Sequence, residues 1–152
     1  MPVALPLDRI REVWPAELRN PALKLGAVLH QASVNRDLRH SLDILREHDN
    51  ELFSLAALFG PQHGFAGTTQ DNMIEWEGFQ HPVLDIPVYS LYGEHREPTP
   101  EMLDGLDAML VDLFDVGVGQ WFVLTAGHAG ANRLEILGEC RLAQCDLRLA
   151  CI

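Results

Sequence analysis

The 152-residue chain is 47% hydrophobic and 22% charged, which describes one globular domain of ordinary size and excludes disordered and fibrous classes. No apolar run approaches the ~20 residues of a membrane helix, and the amino terminus MPVALPLDRIREVWP, broken by Pro2, Pro6 and charges, lacks a secretory pattern, so a cytoplasmic location is expected. The net charge of −11 is concentrated in residues 41–119, where two basic residues face fifteen acids, a balance that repels phosphate backbones and argues against a nucleic-acid partner.

In chain order, a short helix is expected from Asp8 to Trp14, closed by Pro15. KLGAVLHQA (24–32) reads as a buried strand. Asn35 is the expected cap of a helix reaching about His48, with Leu38, Leu42 and Leu45 on one face. FSLAALF (53–59) reads as the second strand, followed by a turn-rich connection over 60–86. PVYSLY (87–92) is the third strand. Thr99 as cap and Pro100 at the first helical position start a short helix through Leu106, and AMLVDLF (108–114) is the fourth strand. RLEILGECRLAQCDLRLA, near the end, reads as a terminal helix interrupted by Gly138, which costs about 1 kcal/mol relative to alanine.

This alternation predicts an α/β, Rossmann-like fold with a mostly parallel sheet and flanking helices, since apolar runs suit strands buried on both faces. The expected division is a lead-in over 1–23, the α/β domain over 24–117 and an atypical tail over 118–152. In such sheets ligands bind beyond the carboxyl ends of the strands. Ser33 and Asn35 follow the first strand, Gln62 and His63 the second, Tyr92 to Arg96 the third and Asp115 the fourth, so these residues are expected to converge.

Within LFGPQHGFAG (58–67), Gly60, Gly64 and Gly67 fit neither the dinucleotide fingerprint nor the Walker loop, and no lysine follows; no nucleotide or other cofactor is expected. His63, His81 and His95 lack metal-ligand spacing, and Cys140, Cys145 and Cys151 form no CxxC pair, so neither a metal nor a disulfide framework is expected. Asp112 interrupts an apolar strand, where its carboxylate either lines the crevice or bonds the backbone around Gly117. Arg96 suits a bidentate clamp on a substrate carboxylate or a surface ion pair with Glu94 or Glu97. Tyr92 either packs under a sugar ring or fills the sheet edge, and Trp76 is either a substrate platform or a cap over the core.

LFGPQHGFAG, QDNMIE (70–75), IPVYSLYGEHREPTPEML (86–103) and DLFDVG (112–117) occur in the order seen in bacterial exo-β-N-acetylmuramidases, and the chain resembles that family over roughly residues 24–117. The resemblance implies a Rossmann-like domain, followed in the family by a smaller carboxyl-terminal domain, with the active site between them. It implies a glycoside hydrolase that releases N-acetylmuramic acid from the non-reducing ends of peptidoglycan fragments. The ligand implied is a muropeptide or amino sugar.

The family commonly has PEHG where this chain has Gln62, and the glutamate there is its favoured catalytic carboxylate. An amide can hold a sugar hydroxyl but cannot transfer a proton, whereas glycoside hydrolysis usually uses two carboxyl groups. Glu75 is then the first candidate for acid or base chemistry, with Asp115, which aligns with the DVG aspartate. His63, Gly64, Tyr92 and Arg96 match the family's pattern, and Asn35 is a further substrate-binding candidate. HQASVN replaces the family's Asn-x-Thr-Gly, and VGQWFVLTAGHAG replaces its Arg–aromatic continuation. The chain is therefore expected to be an amino-terminal portion, with little turnover of its own and a face available for self-association. A non-catalytic muropeptide-binding module and an inactive truncated product are the alternatives.

Overall fold

A computed structural model describes residues 6–68 and 74–113, together with the backbone of the two strands Glu135–Leu142 and Cys145–Cys151. The chain opens with a 3₁₀ turn, Pro6–Arg9, running into α1 (Ile10–Val13), where the sequence predicts one helix over 8–14. Trp14 ends it, with its indole N–H donating to the Leu18 carbonyl at 3.1 Å and its ring 4.8 Å from that of Phe53.

Strand β1 (Lys24–Leu29) stops earlier than the expected residue 32, because Ser33 Oγ accepts from the His30 amide and turns the chain away. Helix α2 spans Ser41–His48, and its cap is His40, whose Nδ1 accepts from the Leu42 amide; the expected start at Asn35 is incorrect. Asn35 Oδ1 instead accepts from the amides of Asp37 and Arg39, the local competition that withdraws asparagine from helices. Leu38, expected on the helix's apolar face, is consequently 81% exposed with φ +61°.

Strand β2 (Ser54–Gly60) follows, then β3 (Phe79–Gln80) inside the long connection, β4 (Pro87–Ser90), α3 (Pro100–Leu103) and β5 (Ala108–Leu113). The Thr99 cap forms, its Oγ1 accepting from the Met102 amide, but α3 ends at Leu103 and Gly105 takes a left-handed φ of +76°. The remaining strands are β6 (Glu135–Leu142) and β7 (Cys145–Cys151), so the helix expected there is not formed. Asp146-Leu147-Arg148-Leu149 alternates with the period of a strand, and β7 pairs with the edge that β5 would otherwise leave open.

The sheet order is β3-β4-β2-β1-β5-β7-β6, with β4, β2, β1 and β5 mutually parallel, which gives the expected α/β architecture. Leu25, Leu29, Leu55, Leu58 and Leu110 face a core shared with α1, α2, Trp14 and Phe53. Val28, Ala57, Phe59 and Met109 face the other core, closed by Met102, Leu103 and Leu106 around α3. Leu55 and Leu58 share a face despite their odd spacing because the register between β1 and β2 slips by one residue beside Gly26. Burial on both faces makes the strands read as apolar runs, and all four parallel carboxyl ends open on one edge.

Candidate functional site

At that edge β2 ends in Gly60, a position with no room for a side chain: a Cβ would stand 2.6 Å from the Phe65 amide nitrogen and 2.8 Å from the Trp76 ring. The close approach folds residues 61–67 back over the strand end. Gly64 donates to the Pro61 carbonyl at 3.0 Å, and His63 and Gly64 are both left-handed, with φ +72° and +75°. A histidine in that region stores strain of about 1 kcal/mol or more, as residues at binding loops often do.

Trp76 gathers the loops. Its indole N–H donates to the Pro61 carbonyl at 3.0 Å, and its backbone N–H donates to the Tyr92 carbonyl at 3.2 Å. Beyond β4, the Leu91 amide donates to the Gly60 carbonyl at 2.8 Å, locking the third strand's exit to the second's. Arg96 lies over the Tyr92 ring, 3.8 Å from its centroid, and Arg96 Nη2 donates to Glu75 Oε1 at 3.1 Å. Tyr92 is buried beneath, while the Arg96 and Glu75 side chains remain 45% and 63% exposed. Arg96 also borders a hollow of about 420 Å³ with Glu94, His95 and Thr99.

The loop after β1 joins the same edge. The His40 and Phe65 rings meet edge-on at 6.1 Å, and Gln31 packs where a Cβ on Gly67 would be, at 3.2 Å. Asp112, at the end of β5, is 6% exposed and lies against Ser41. Burial pushes its carboxyl above the usual aspartate range, while the Ser41 hydroxyl and nearby His40 pull the other way.

Gln62, His63, Gly64, Glu75, Tyr92 and Arg96 thus sit on loops tied together through Trp76. Arg96 pairs with Glu75 rather than with the neighbouring Glu94 or Glu97. Asn35 does not join them through its side chain, which closes its own loop and lines a separate groove beside Leu7, Arg9 and Arg36. Asp115 lies outside the described residues. Among the described residues, no three His, Cys, Asp or Glu side chains gather as a metal-ligand set, and no helix is long and apolar enough to cross a membrane. Sequence reasoning missed the packing of Trp76, Phe65 and His40, whose aromatic types alone do not disclose contacts. The one available signal for the Ser41 contact was the charge of Asp112 inside an apolar strand.

Chemically, the edge offers a carboxylate and a guanidinium side by side, an aromatic platform under the guanidinium, and an amide and imidazole on a strained loop. That combination suits an anionic, hydroxyl-rich ligand.

The family described as exo-β-N-acetylmuramidase NamZ, N-terminal, matches residues 25–126. The peptidoglycan β-N-acetylmuramidase NamZ of Bacillus subtilis (strain 168) is 42% identical over 107 residues, which are 70% of this chain and 25% of that protein. The crystal structure of a DUF1343 family protein from Bacteroides fragilis NCTC 9343 superimposes with a TM-score of 0.58 at 32% identity, covering 75% of this chain and 27% of the other. The chain therefore spans about a quarter of the length of these relatives.

Proposed function

We propose a function from an established premise: this chain belongs to the exo-β-N-acetylmuramidase NamZ family, corresponding to its amino-terminal domain. The carboxyl edge of the sheet forms one wall of a cleft for peptidoglycan fragments ending in N-acetylmuramic acid. The observation that carries this reading is the joining of the Gln62–Gly64 loop, Glu75 and Tyr92–Arg96 around Trp76.

In this reading Arg96, held flat on Tyr92 and donating to Glu75 through one nitrogen only, directs its other N–H groups to the lactyl carboxylate of the sugar. Gln62 and His63 hold sugar hydroxyls. Glu75 supplies acid or base chemistry at the glycosidic oxygen, with Asp115 as the second carboxyl group that such hydrolysis uses. A chromogenic N-acetylmuramide assay tests these roles. Because this chain supplies one wall only, the changes are read with it joined to the remainder of a full-length relative: Glu75→Ala and Asp115→Ala are each expected to remove turnover there, and full rates in both variants would overturn the assignment.

A second reading, a muropeptide-binding module without hydrolysis, is favoured by Gln62, since an amide cannot move a proton where the family commonly has glutamate. Calorimetry separates the two: micromolar muropeptide affinity with no product supports the module, and no heat at any concentration refutes it. Ile74, Phe79 and Val83 leave apolar surface beside the wall, where a second copy of this chain would associate. Sedimentation of the purified chain as a monomer at all concentrations would refute that association.

A further inference from the structure

Where the chain leaves β1 for β2 on one side and β5 lies on the other, the sheet has its topological switch point. Ser41 Oγ stands there between two oxygens, Asp112 Oδ2 at 2.5 Å and the Ser33 carbonyl at 2.9 Å. A hydroxyl carries one proton, and a backbone carbonyl only accepts. Were Asp112 ionised, Ser41 could serve one oxygen, and its lone pairs would face the other. With a proton on Asp112 the set closes: Oδ2–H donates to Ser41 Oγ, and Ser41 Oγ–H donates to the Ser33 carbonyl. Ser33 is consistent with this count, because its own Oγ donates to the Asp112 carbonyl and accepts from the His30 amide.

The same segment reaches the saccharide wall. Ser41 N donates to the Ser33 carbonyl at 2.8 Å, and Ser33 N to the His30 carbonyl at 2.9 Å. His40 accepts from Leu42 N at Nδ1, so the Nε2 facing the His30 carbonyl at 3.0 Å carries the hydrogen. The His40 ring then meets Phe65, and Gln31 meets Gly67, both in the stretch that directly follows the strained turn at His63 and Gly64.

We propose that Asp112 acts as a neutral acid and a positioning residue, its proton bracing the segment from His30 to Ser41 in the geometry that seats the Gln62–Gly64 loop. The functional part rests on reading that loop as saccharide-binding. Around Asp112 the titratable groups on adjoining segments are His30 after β1 and His40 and Asp43 at the start of α2. Across the β5–β7 pairing its register partner is Leu147, flanked in sequence by Asp146 and Arg148.

Carbon-detected NMR of the whole 152-residue chain tests the brace without any ligand. The Asp112 carboxyl carbon is expected to titrate above the ordinary aspartate value of about 3.9, with the Gly64 and Gly67 amide signals moving at the same midpoint. In Asp112→Asn, whose amide donates to Ser41 permanently, both glycine signals should hold their low-pH positions throughout. Calorimetry with N-acetylmuramic acid should show affinity falling about fivefold above the midpoint in the wild type, the factor for one neutral hydrogen bond, and staying level in Asp112→Asn. An Asp112 midpoint at or below the ordinary value overturns the proposal, as do glycine amides that ignore the midpoint. Absence of N-acetylmuramic acid binding at every pH, with the NMR result as expected, refutes the saccharide reading and leaves the brace standing.

Discussion

Gly60→Ala tests whether the site is held by crowding at the end of β2. Gly60 has an ordinary negative φ, so the backbone itself tolerates alanine, and the chain entropy lost from the unfolded state would by itself stabilise by about 0.4–1 kcal/mol. Opposing this, the new methyl would lie 2.6 Å from the backbone nitrogen of Phe65 and 2.8 and 3.1 Å from two atoms of the Trp76 ring. Neither neighbour yields cheaply, since one is backbone and the other is pinned by its bond to the Pro61 carbonyl. Overpacking of this kind costs about 1–3 kcal/mol, so a net loss of about 1–2 kcal/mol is expected. At this chain length that is a fall in Tm of about 2–8 °C. Urea denaturation followed by circular dichroism measures it. Gly105→Ala provides the contrast, because Gly105 has φ +76° and nothing within 4 Å, leaving backbone strain as the only cost. A Gly60→Ala protein as stable as the wild type would refute the claim that close approach at this glycine sets the loop.

Leu38→Asn is expected to raise Tm by about 2–4 °C in a thermal melt, because a nearly fully exposed leucine in the left-handed region gains nothing from packing and loses about 1 kcal/mol to strain. Arg96→Leu is expected to change stability by no more than about 0.5 kcal/mol, the exposed pair with Glu75 being screened by solvent, yet to weaken N-acetylmuramic acid binding at least about tenfold in calorimetry. The stability of the wild type should fall as pH rises from the ordinary aspartate value to the raised value of Asp112, where the folded state holds more protons than the unfolded, and then level off. Asp112→Asn should lack that fall, so urea midpoints of the two proteins diverge with rising pH across this window.

Periodicity and punctuation in the sequence determined much of the architecture. β1, β2, β4 and β5 follow their apolar runs to within a few residues, and Thr99-Pro100 starts α3, because double burial and helix capping are local demands on residue type. The order of four motifs was likewise enough to point to the family. Tertiary structure decided the rest wherever a residue had two possible partners. Asn35 had the capping chemistry but spent its side chain on Asp37 and Arg39, so α2 begins at Ser41 under His40. The segment after residue 134 carried apolar residues compatible with helix or strand, and pairing with β5 selected the strands. Arg96 had acidic neighbours at Glu94 and Glu97, yet the fold brings Glu75 to it across twenty-one positions. Hydrogen bonds and ion pairs are short-ranged and saturable, and which of several competent partners takes them is set by the path of the chain in space.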